Sequence, residues 1–140
     1  MHAVGQCDTP SKGVLSLAQQ EAEARGGKFL VSGFILLAAV SRGDEISKRL
    51  VSAIGAAPDA IAGAVEAEWQ SASQHRQDVP ATLVNQGINE VVNAQPITGR
   101  SMVERLIAVM LAHETSMASR VLGRLGIAPQ DVAHRLNTPA

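Results

Sequence analysis

The side chains best suited to catalysis or metal binding are few in this sequence and lie far apart. The single cysteine is Cys7, and the histidines occur at positions 2, 75, 113 and 134. No HxxxH, HExxH or CxxC pattern connects them, so the spacing offers no compact zinc site. We therefore expect no bound metal.

His113 and Glu114 are adjacent and could take part in acid–base chemistry. They fall between two helical patterns, however, and turn residues are usually exposed, so we interpret the pair as a solvated turn. The sequence also lacks a GxSxG nucleophile elbow. We predict a protein that is not an enzyme and that needs no cofactor. A helical enzyme with an unrecognised site is the alternative that an assay of hydrolase activity would exclude.

A phosphate-cradling loop is missing as well. No GxxxxGK[ST] segment occurs in the chain, and this loop holds the phosphates in the ATPases that carry it. The 140 residues cannot by themselves act as an ATP-driven motor of that type.

Composition disfavours polyanionic and membrane partners. The chain has 12 Lys plus Arg against 13 Asp plus Glu, which leaves a net charge of −1 and no field to attract nucleic acid or anionic lipid. The longest strongly apolar run, Phe34–Val40, is far shorter than the roughly 20 residues of a membrane span. With one cysteine and no visible secretory signal, we predict a cytoplasmic protein that binds neither nucleic acid nor membranes.

Apolar periodicity and turn residues predict eight helices and no strand. Thr9 and Ser32 are candidate N-caps, Gly55 and Gly126 are predicted helix ends, and Ser101 has capping-box spacing to Glu104. The first apolar positions of the eight helices are Val14, Phe34, Ile46, Ile61, Leu83, Leu106, Met117 and Val132. The second helix is apolar on all sides, so we expect it at the centre of the fold.

The second half of the chain resembles the first. Gly55 and Gly126 are 71 positions apart, and the same offset aligns Arg49 with Arg120 and Pro58 with Pro129. Self-similarity at a fixed spacing indicates one structural unit used twice. We predict a flexible lead-in over residues 1–8, a first four-helix repeat over 9–69, a linker over 70–80, a second repeat over 81–137 and a tail over 138–140.

These patterns together resemble the N-terminal repeat domain of Clp-type AAA+ unfoldases. The resemblance is carried by LAQQEAEARGGKF, by the ILLAAV helix, by a charged turn with a glycine and by the KRLVSAIG helix before a proline. It implies an all-α fold of two tandem four-helix repeats packed as one pseudo-twofold domain. It also implies a non-catalytic docking module that receives adaptors, degradation-tagged substrates or, in one branch, phosphorylated arginines.

The resemblance implies that partner-binding residues lie at the starts of the second helices. The candidates are Lys28, Phe29, Ser32, Phe34, Arg100 and Glu104. A phosphoarginine site needs a carboxylate near the guanidinium, which the first repeat lacks. Capping explains Glu104 in the second repeat, and aromatic residues at the start of a helix are more often core than contact residues.

Two functional hypotheses follow from the resemblance. In the first, the chain recognises adaptor or substrate proteins for a Clp-type unfoldase or protease system, whose AAA+ ATPase region it lacks. In the second, it is a free-standing regulator that sequesters adaptors, substrates or peptide-like small ligands. We expect a monomer in both. A DNA-binding helix-turn-helix over residues 115–136 is disfavoured because Arg120, Arg124 and Arg135 are too few for phosphate contacts.

Overall fold

The computed structural model describes residues 9–25, 32–72, 88–91, 93–94, 97–113 and 116–139, and all regular structure within these ranges is helical. Residues 88–91 are helical where the fifth helix was predicted. The remaining helices, numbered along the chain, are α1 (Thr9–Ala24), α2 (Ser32–Ser41), α3 (Glu45–Ile54), α4 (Pro58–Ala72), α5 (Met102–Ala112), α6 (Met117–Arg124) and α7 (Pro129–Leu136). The all-α fold class is confirmed.

The helix boundaries follow the local signals of the sequence. Ser101 caps α5 through a complete capping box with Glu104, as predicted. Pro129 opens α7, where its missing N–H costs no intrahelical hydrogen bond. Gly55 and Gly126 both adopt positive φ, of 81° and 74°, and this left-handed conformation ends a helix at little cost only for glycine.

One boundary differs from the sequence prediction. α4 continues to Ala72, so the first three residues of the predicted linker, 70–72, are helical. Residues 70–72 show no apolar periodicity, so the sequence pattern did not predict the last turn of this helix.

The central position of α2 is confirmed. It packs against α1, α3, α4, α5 and α6, and eight of its ten residues are buried. Phe34, Ile35 and Leu36 have no solvent exposure, and burying such a side chain contributes about 1.5–3 kcal/mol each. A helix that is apolar on all sides is stable in water only when neighbours surround it in this way.

α5 is a second buried helix, next to α2. It packs against α7 and α6, and also against α1, α2 and α3. Its buried residues Leu106, Ile107 and Leu111 belong to the same core cluster as Phe34 and Leu36 of α2. The first half of the chain (α1–α4) and the second half (residue 88 onward) therefore share one core.

The turns after α2 and after α5 are closed by the same hydrogen bonds. Ser47 Oγ donates to the carbonyl of Ala39 at 2.6 Å, and Ser119 Oγ lies 3.1 Å from the equivalent carbonyl of Leu111 and 2.8 Å from that of His113, between which its one proton is shared. The side chains of Asp44 and Ser116 in turn cap α3 and α6 by accepting from the backbone N–H groups of those two serines. Each turn therefore ties the end of one helix to the start of the next in the same way.

The two turns are separated along the chain by one residue more than the offset of 71 that was predicted from the glycines. The caps Asp44 and Ser116 are 72 positions apart, whereas Gly55 and Gly126 are 71 apart. The segment from cap to glycine is thus one residue shorter in the second half, where Leu125 already leaves α6. The offset is therefore 72 at the caps and the two serines and 71 at the two glycines.

Candidate functional site

The six predicted partner-binding residues fall at two places in the fold. Lys28 and Phe29 lie outside the described residues. Ser32 and Phe34 are at the start of α2, whereas Arg100 and Glu104 are at the start of α5. Each pair has its own environment.

Ser32, a predicted N-cap of its own helix, joins α2 to α6. It is the buried first residue of α2, and its Oγ accepts a hydrogen bond of 3.0 Å from the backbone N of Ala118. That N–H belongs to the first turn of α6, where backbone donors have no intrahelical acceptor. Ser32 therefore satisfies a helix end that lies 86 residues away along the chain.

Gly33 allows α2 and α6 to approach closely at the same place. A Cβ atom at this position would lie 2.7 Å from Sδ and 2.8 Å from Cγ of Met117, well inside van der Waals contact. Met117 is itself buried in the core. The sequence predicted neither this contact nor the hydrogen bond of Ser32, because both depend on how distant helices pack.

Phe34 lies in the core and not on the surface. Its ring centroid is 5.3 Å from that of Trp69, at an interplanar angle of 59°, a tilted geometry that aromatic pairs prefer. The Cζ atom of Arg25 lies 4.9 Å from the Phe34 ring centroid, within the range of a cation–π interaction. The side chain has no solvent exposure, so it belongs to the core beneath the start of α2.

Arg25 connects the end of α1 to α4 above this aromatic pair. Its Nη1 donates to Glu21 Oε2 at 2.7 Å, and its Nε and Nη2 pair with Glu66 Oε1. Burial alone would lower the pKa of Arg25, but the two carboxylates outweigh it and raise the pKa above the usual value. The guanidinium is therefore a fixed structural link between the two helices.

Glu104 is the centre of the most buried ionic group in the described part of the chain, which we call the Glu104 cluster (Arg49, Arg100, Ser101 and Glu104). Its side chain has 0% exposure. Oε1 accepts from Nε and Nη2 of Arg49 at 3.1 and 2.8 Å, and Oε2 accepts from Nη1 of Arg100 at 2.7 Å. Because Arg49 is on α3, the cluster links the two halves of the chain.

Arg100 uses all of its guanidinium nitrogens within the protein. Besides Glu104, it donates from Nε to the carbonyl of Thr138 and from Nη2 to the carbonyl of Arg135, both at 2.8 Å. These carbonyls lie at and beyond the end of α7, where backbone acceptors have no intrahelical partner. Arg100 thus fixes the C-terminal end of α7 to the start of α5.

The cluster keeps Glu104 ionised despite its burial. Burial alone would raise the pKa of this carboxyl, but hydrogen bonds from Arg49, Arg100 and Ser101 lower it below the usual value. A buried carboxylate that receives several charge-assisted hydrogen bonds behaves in this way. The sequence prediction of the capping box is confirmed, but the two arginines were not foreseen as its partners.

A second ionic group, which we call the Glu68 cluster (Glu68, Arg120 and Arg124), was missed by the sequence reasoning. Glu68 Oε1 accepts from Arg120 Nε and Oε2 accepts from Arg124 Nε, both at 2.6 Å. Burial would raise the pKa of Glu68, but the two guanidinium groups lower it below the usual value. The cluster joins α4 of the first half to α6 of the second.

The two clusters are related by one signal that was visible in the sequence. Arg49 and Arg120 are aligned by the 71-residue offset, and in the structure each pairs with a carboxylate of the other half, Glu104 and Glu68 respectively. The aligned arginines could have been singled out for that reason. The carboxylates could not, because they occupy unrelated positions in the two halves.

Among the residues that the structure describes, no three His, Cys, Asp or Glu side chains converge where they could hold a metal ion.

None of the described helices is by itself long and apolar enough to cross a bilayer. One pair of neighbouring helices has the required length and hydropathy only when the two are taken together, Glu45–Ile54 with Pro58–Gln70. Their axes are bent by 71° at the break between them.

Comparison with known proteins adds no relative to this picture. The chain matches no protein-family model, and no curated protein matches it significantly.

Proposed function

We propose that this protein is a non-catalytic docking module, built from two tandem four-helix units, that recognises adaptor or substrate proteins for a Clp-type unfoldase or protease system. The proposal rests on the resemblance of the sequence to the N-terminal repeat domain of those unfoldases. In that domain the repeat architecture and the partner-binding role occur together.

The observation that carries the proposal is the equivalent closure of the two helix–turn–helix segments, α2–α3 and α5–α6. Ser47 and Ser119 make the same hydrogen bond to a carbonyl eight residues earlier, and Gly55 and Gly126 end the following helices with positive φ. The two serine hydrogen bonds were not used to infer the repeat, whereas the two glycines were. The hydrogen bonds support a duplicated unit, on which the resemblance depends.

The geometry also suggests how the candidate residues would contribute. Ser32, Phe34 and Glu104 are buried, so in this proposal they shape the docking surface without touching the partner. Arg100 has a side-chain exposure of 11% and Arg49 one of 35%. Contacts to a partner would then come from exposed parts of α3 and α6 around the buried clusters.

Titration of the purified chain against a panel of adaptors and substrates of Clp-type systems tests the proposal. We expect saturable binding to at least one of them by isothermal titration calorimetry. Loss of the fold would be detected by circular dichroism at 222 nm, measured on the same samples. If no member of the panel binds while the helical signal is intact, the proposed function is wrong.

A further inference from the structure

The helix α7 buries few of its residues, although it packs against α3, α5 and α6. Of its eight residues only Val132, Ala133 and Leu136 are buried, whereas eight of the ten residues of α2 are. A helix of this length is at best marginally stable in water by itself. It therefore stays folded only while it is held against the rest of the molecule.

The segments that flank α7 hold it weakly. Before the helix, Gly126 and Ala128 are exposed, and Ala128 supplies no side-chain cap. Gln130 Nε2 donates to the carbonyl of Ala112 at 3.3 Å, which is long for a hydrogen bond. After the helix, residues 137–139 are exposed. Segments with few buried apolar contacts are those that open locally at the lowest free energy.

The C-terminal end of α7 is fastened by guanidinium groups. Arg100 donates to the carbonyls of Arg135 and Thr138, both at 2.8 Å. Arg135 Nη1 in turn donates to the carbonyl of Ala53, near the end of α3, at 2.7 Å. Hydrogen bonds from charged donors are stronger than those between neutral groups, so this end carries the main polar link between α7 and its neighbours.

Glu104 holds Arg100 in place for this role. Its Oε2 accepts from Arg100 Nη1 at 2.7 Å, and its Oε1 accepts from Arg49 of α3. With the bond from Arg135 to Ala53, the contacts form a closed ring that begins and ends on α3. Arg100 can serve the carboxylate and the end of α7 together because the nitrogens of a guanidinium point in fixed, different directions, which a lysine ammonium does not reproduce.

We propose that α7 is a strap that opens as one unit while the rest of the fold stays closed, and that Arg100, positioned by Glu104, is the latch that holds it shut. Opening separates Arg100 from the carbonyls of α7, leaves Glu104 paired with its two arginines, and exposes the face of α5 that α7 covers. This motion needs no partner protein, so it is independent of the docking function proposed above.

Hydrogen exchange of the backbone amides in the full chain, followed by NMR in low concentrations of urea, tests whether the strap opens. After correction for intrinsic rates, the amides of Val132, Ala133 and Leu136 should share one opening free energy. They should exchange at least about tenfold faster than those of Ala38 and Ala39 in α2, with a weaker dependence on urea because less surface is exposed.

Two results would overturn the strap. Equal exchange in α7 and α2 would mean that α7 opens only when the whole fold unfolds. Protection that falls gradually toward Leu136, with Val132 as protected as α2, would mean that only the helix end frays.

The variant Arg100→Lys tests the latch and should speed exchange in α7 about tenfold, as for the loss of one hydrogen bond from a charged donor. Arg25→Lys is the matched control, since Arg25 also bonds two carboxylates, Glu21 and Glu66. It should speed exchange in α2 through a loss of global stability and leave the rates in α7 unchanged.

A second variant tests the latch without altering the Glu104 cluster. Arg135→Gln, at an exposed position, removes the bond to Ala53 and should speed exchange in α7 about fivefold, with no change in α2. If neither this variant nor Arg100→Lys changes exchange in α7, the ring does not hold the strap and the latch is wrong. If Arg100→Lys does not fold, the result for Arg135→Gln decides.

Discussion

At the scale of single residues, two carboxylates are each held between two arginines, at least one of which comes from the other half of the chain. Glu104 is fully buried between Arg49 and Arg100, and Glu68 lies between Arg120 and Arg124. Such pairs contribute little to stability relative to an apolar replacement of both partners, but removal of one partner leaves an uncompensated buried charge. Their role is to fix which helices meet.

The first prediction concerns pH. The pKa values of Glu104 and Glu68 are lowered on folding from the ordinary value of 4.5. Their contribution is therefore fully present above that value and is lost as the pH falls through the folded pKa. We expect the free energy of unfolding, measured with urea, to be constant from pH 7 to pH 5 and to decrease between pH 4 and pH 2.

The variant Glu104→Gln tests whether this decrease originates in the cluster. It should lower the free energy of unfolding at pH 7 by about 3 kcal/mol and should make the decrease at acidic pH less steep, since Glu68 and Asp44, whose pKa values are also lowered, remain. Glu23→Gln, at an exposed position on α1, is the control and should keep the acid-dependent decrease of the wild type. A wild-type slope in Glu104→Gln would contradict the assignment.

The second prediction concerns the hydroxyl of Ser32. In Ser32→Ala the backbone N–H of Ala118 loses its acceptor in a buried place where water cannot replace it. We expect a loss of about 1–3 kcal/mol in the free energy of unfolding. Ser52→Ala, at an exposed position on α3, should change stability by less than about 0.5 kcal/mol. Equal effects of the two substitutions would argue against the hydrogen bond.

At the scale of elements, the contact between α2 and α6 sets how closely the two halves approach. α2 has a glycine where Met117 of α6 packs against it, and a hydrogen bond from the same helix start to Ser32 lies beside it. Helices approach closely where one of them lacks a side chain, because the separation of two axes depends on the residues at the contact. The position of α6 is therefore determined by the absence of a Cβ atom on α2.

The third prediction compares two helical glycines. Gly33→Ala should destabilise the fold by about 0.5–2 kcal/mol, since its Cβ overlaps the buried Met117 side chain and the cost of overpacking exceeds the gain in helix propensity. Gly63→Ala on α4 meets nothing within 4 Å and should stabilise by about 0.5–1 kcal/mol through its better helix propensity. Thermal unfolding followed by circular dichroism gives both values.

The clash at Gly33 can be checked with a second substitution at its partner. Met117→Ala creates space next to α2, so the double variant Gly33→Ala/Met117→Ala should be less destabilised than the sum of the single variants. Additive effects would show that Met117 is not what position 33 contacts.

At the scale of the whole molecule, the two halves share one core. A single core cluster contains Leu36 and Ile61 from the first half and Ile107 and Leu122 from the second. α2 packs against α5 and α6, and α3 packs against α7. Neither half can bury its apolar residues without the other, since the contact faces of α2 would then be exposed to water.

The fourth prediction follows from this shared core. Trp69, the only tryptophan, reports on the first half of the chain, whereas circular dichroism at 222 nm reports on all helices. We expect the two signals to give the same midpoint in urea, as in a two-state transition. Two separate transitions would mean that the halves unfold independently and that the cross-links through Glu104 and Glu68 do not hold them together.

The sequence by itself determined the helices and the burial of α2, because propensity, capping and apolar periodicity act over a few neighbouring residues. Ser101 and Glu104, for example, are three positions apart, and their capping box needs no information from the rest of the chain. The role of Ser32 and the partners of Glu104 and Glu68 were decided by tertiary structure. Those contacts join residues 86, 55 and 52 positions apart, and which distant helices meet depends on packing that no local pattern encodes.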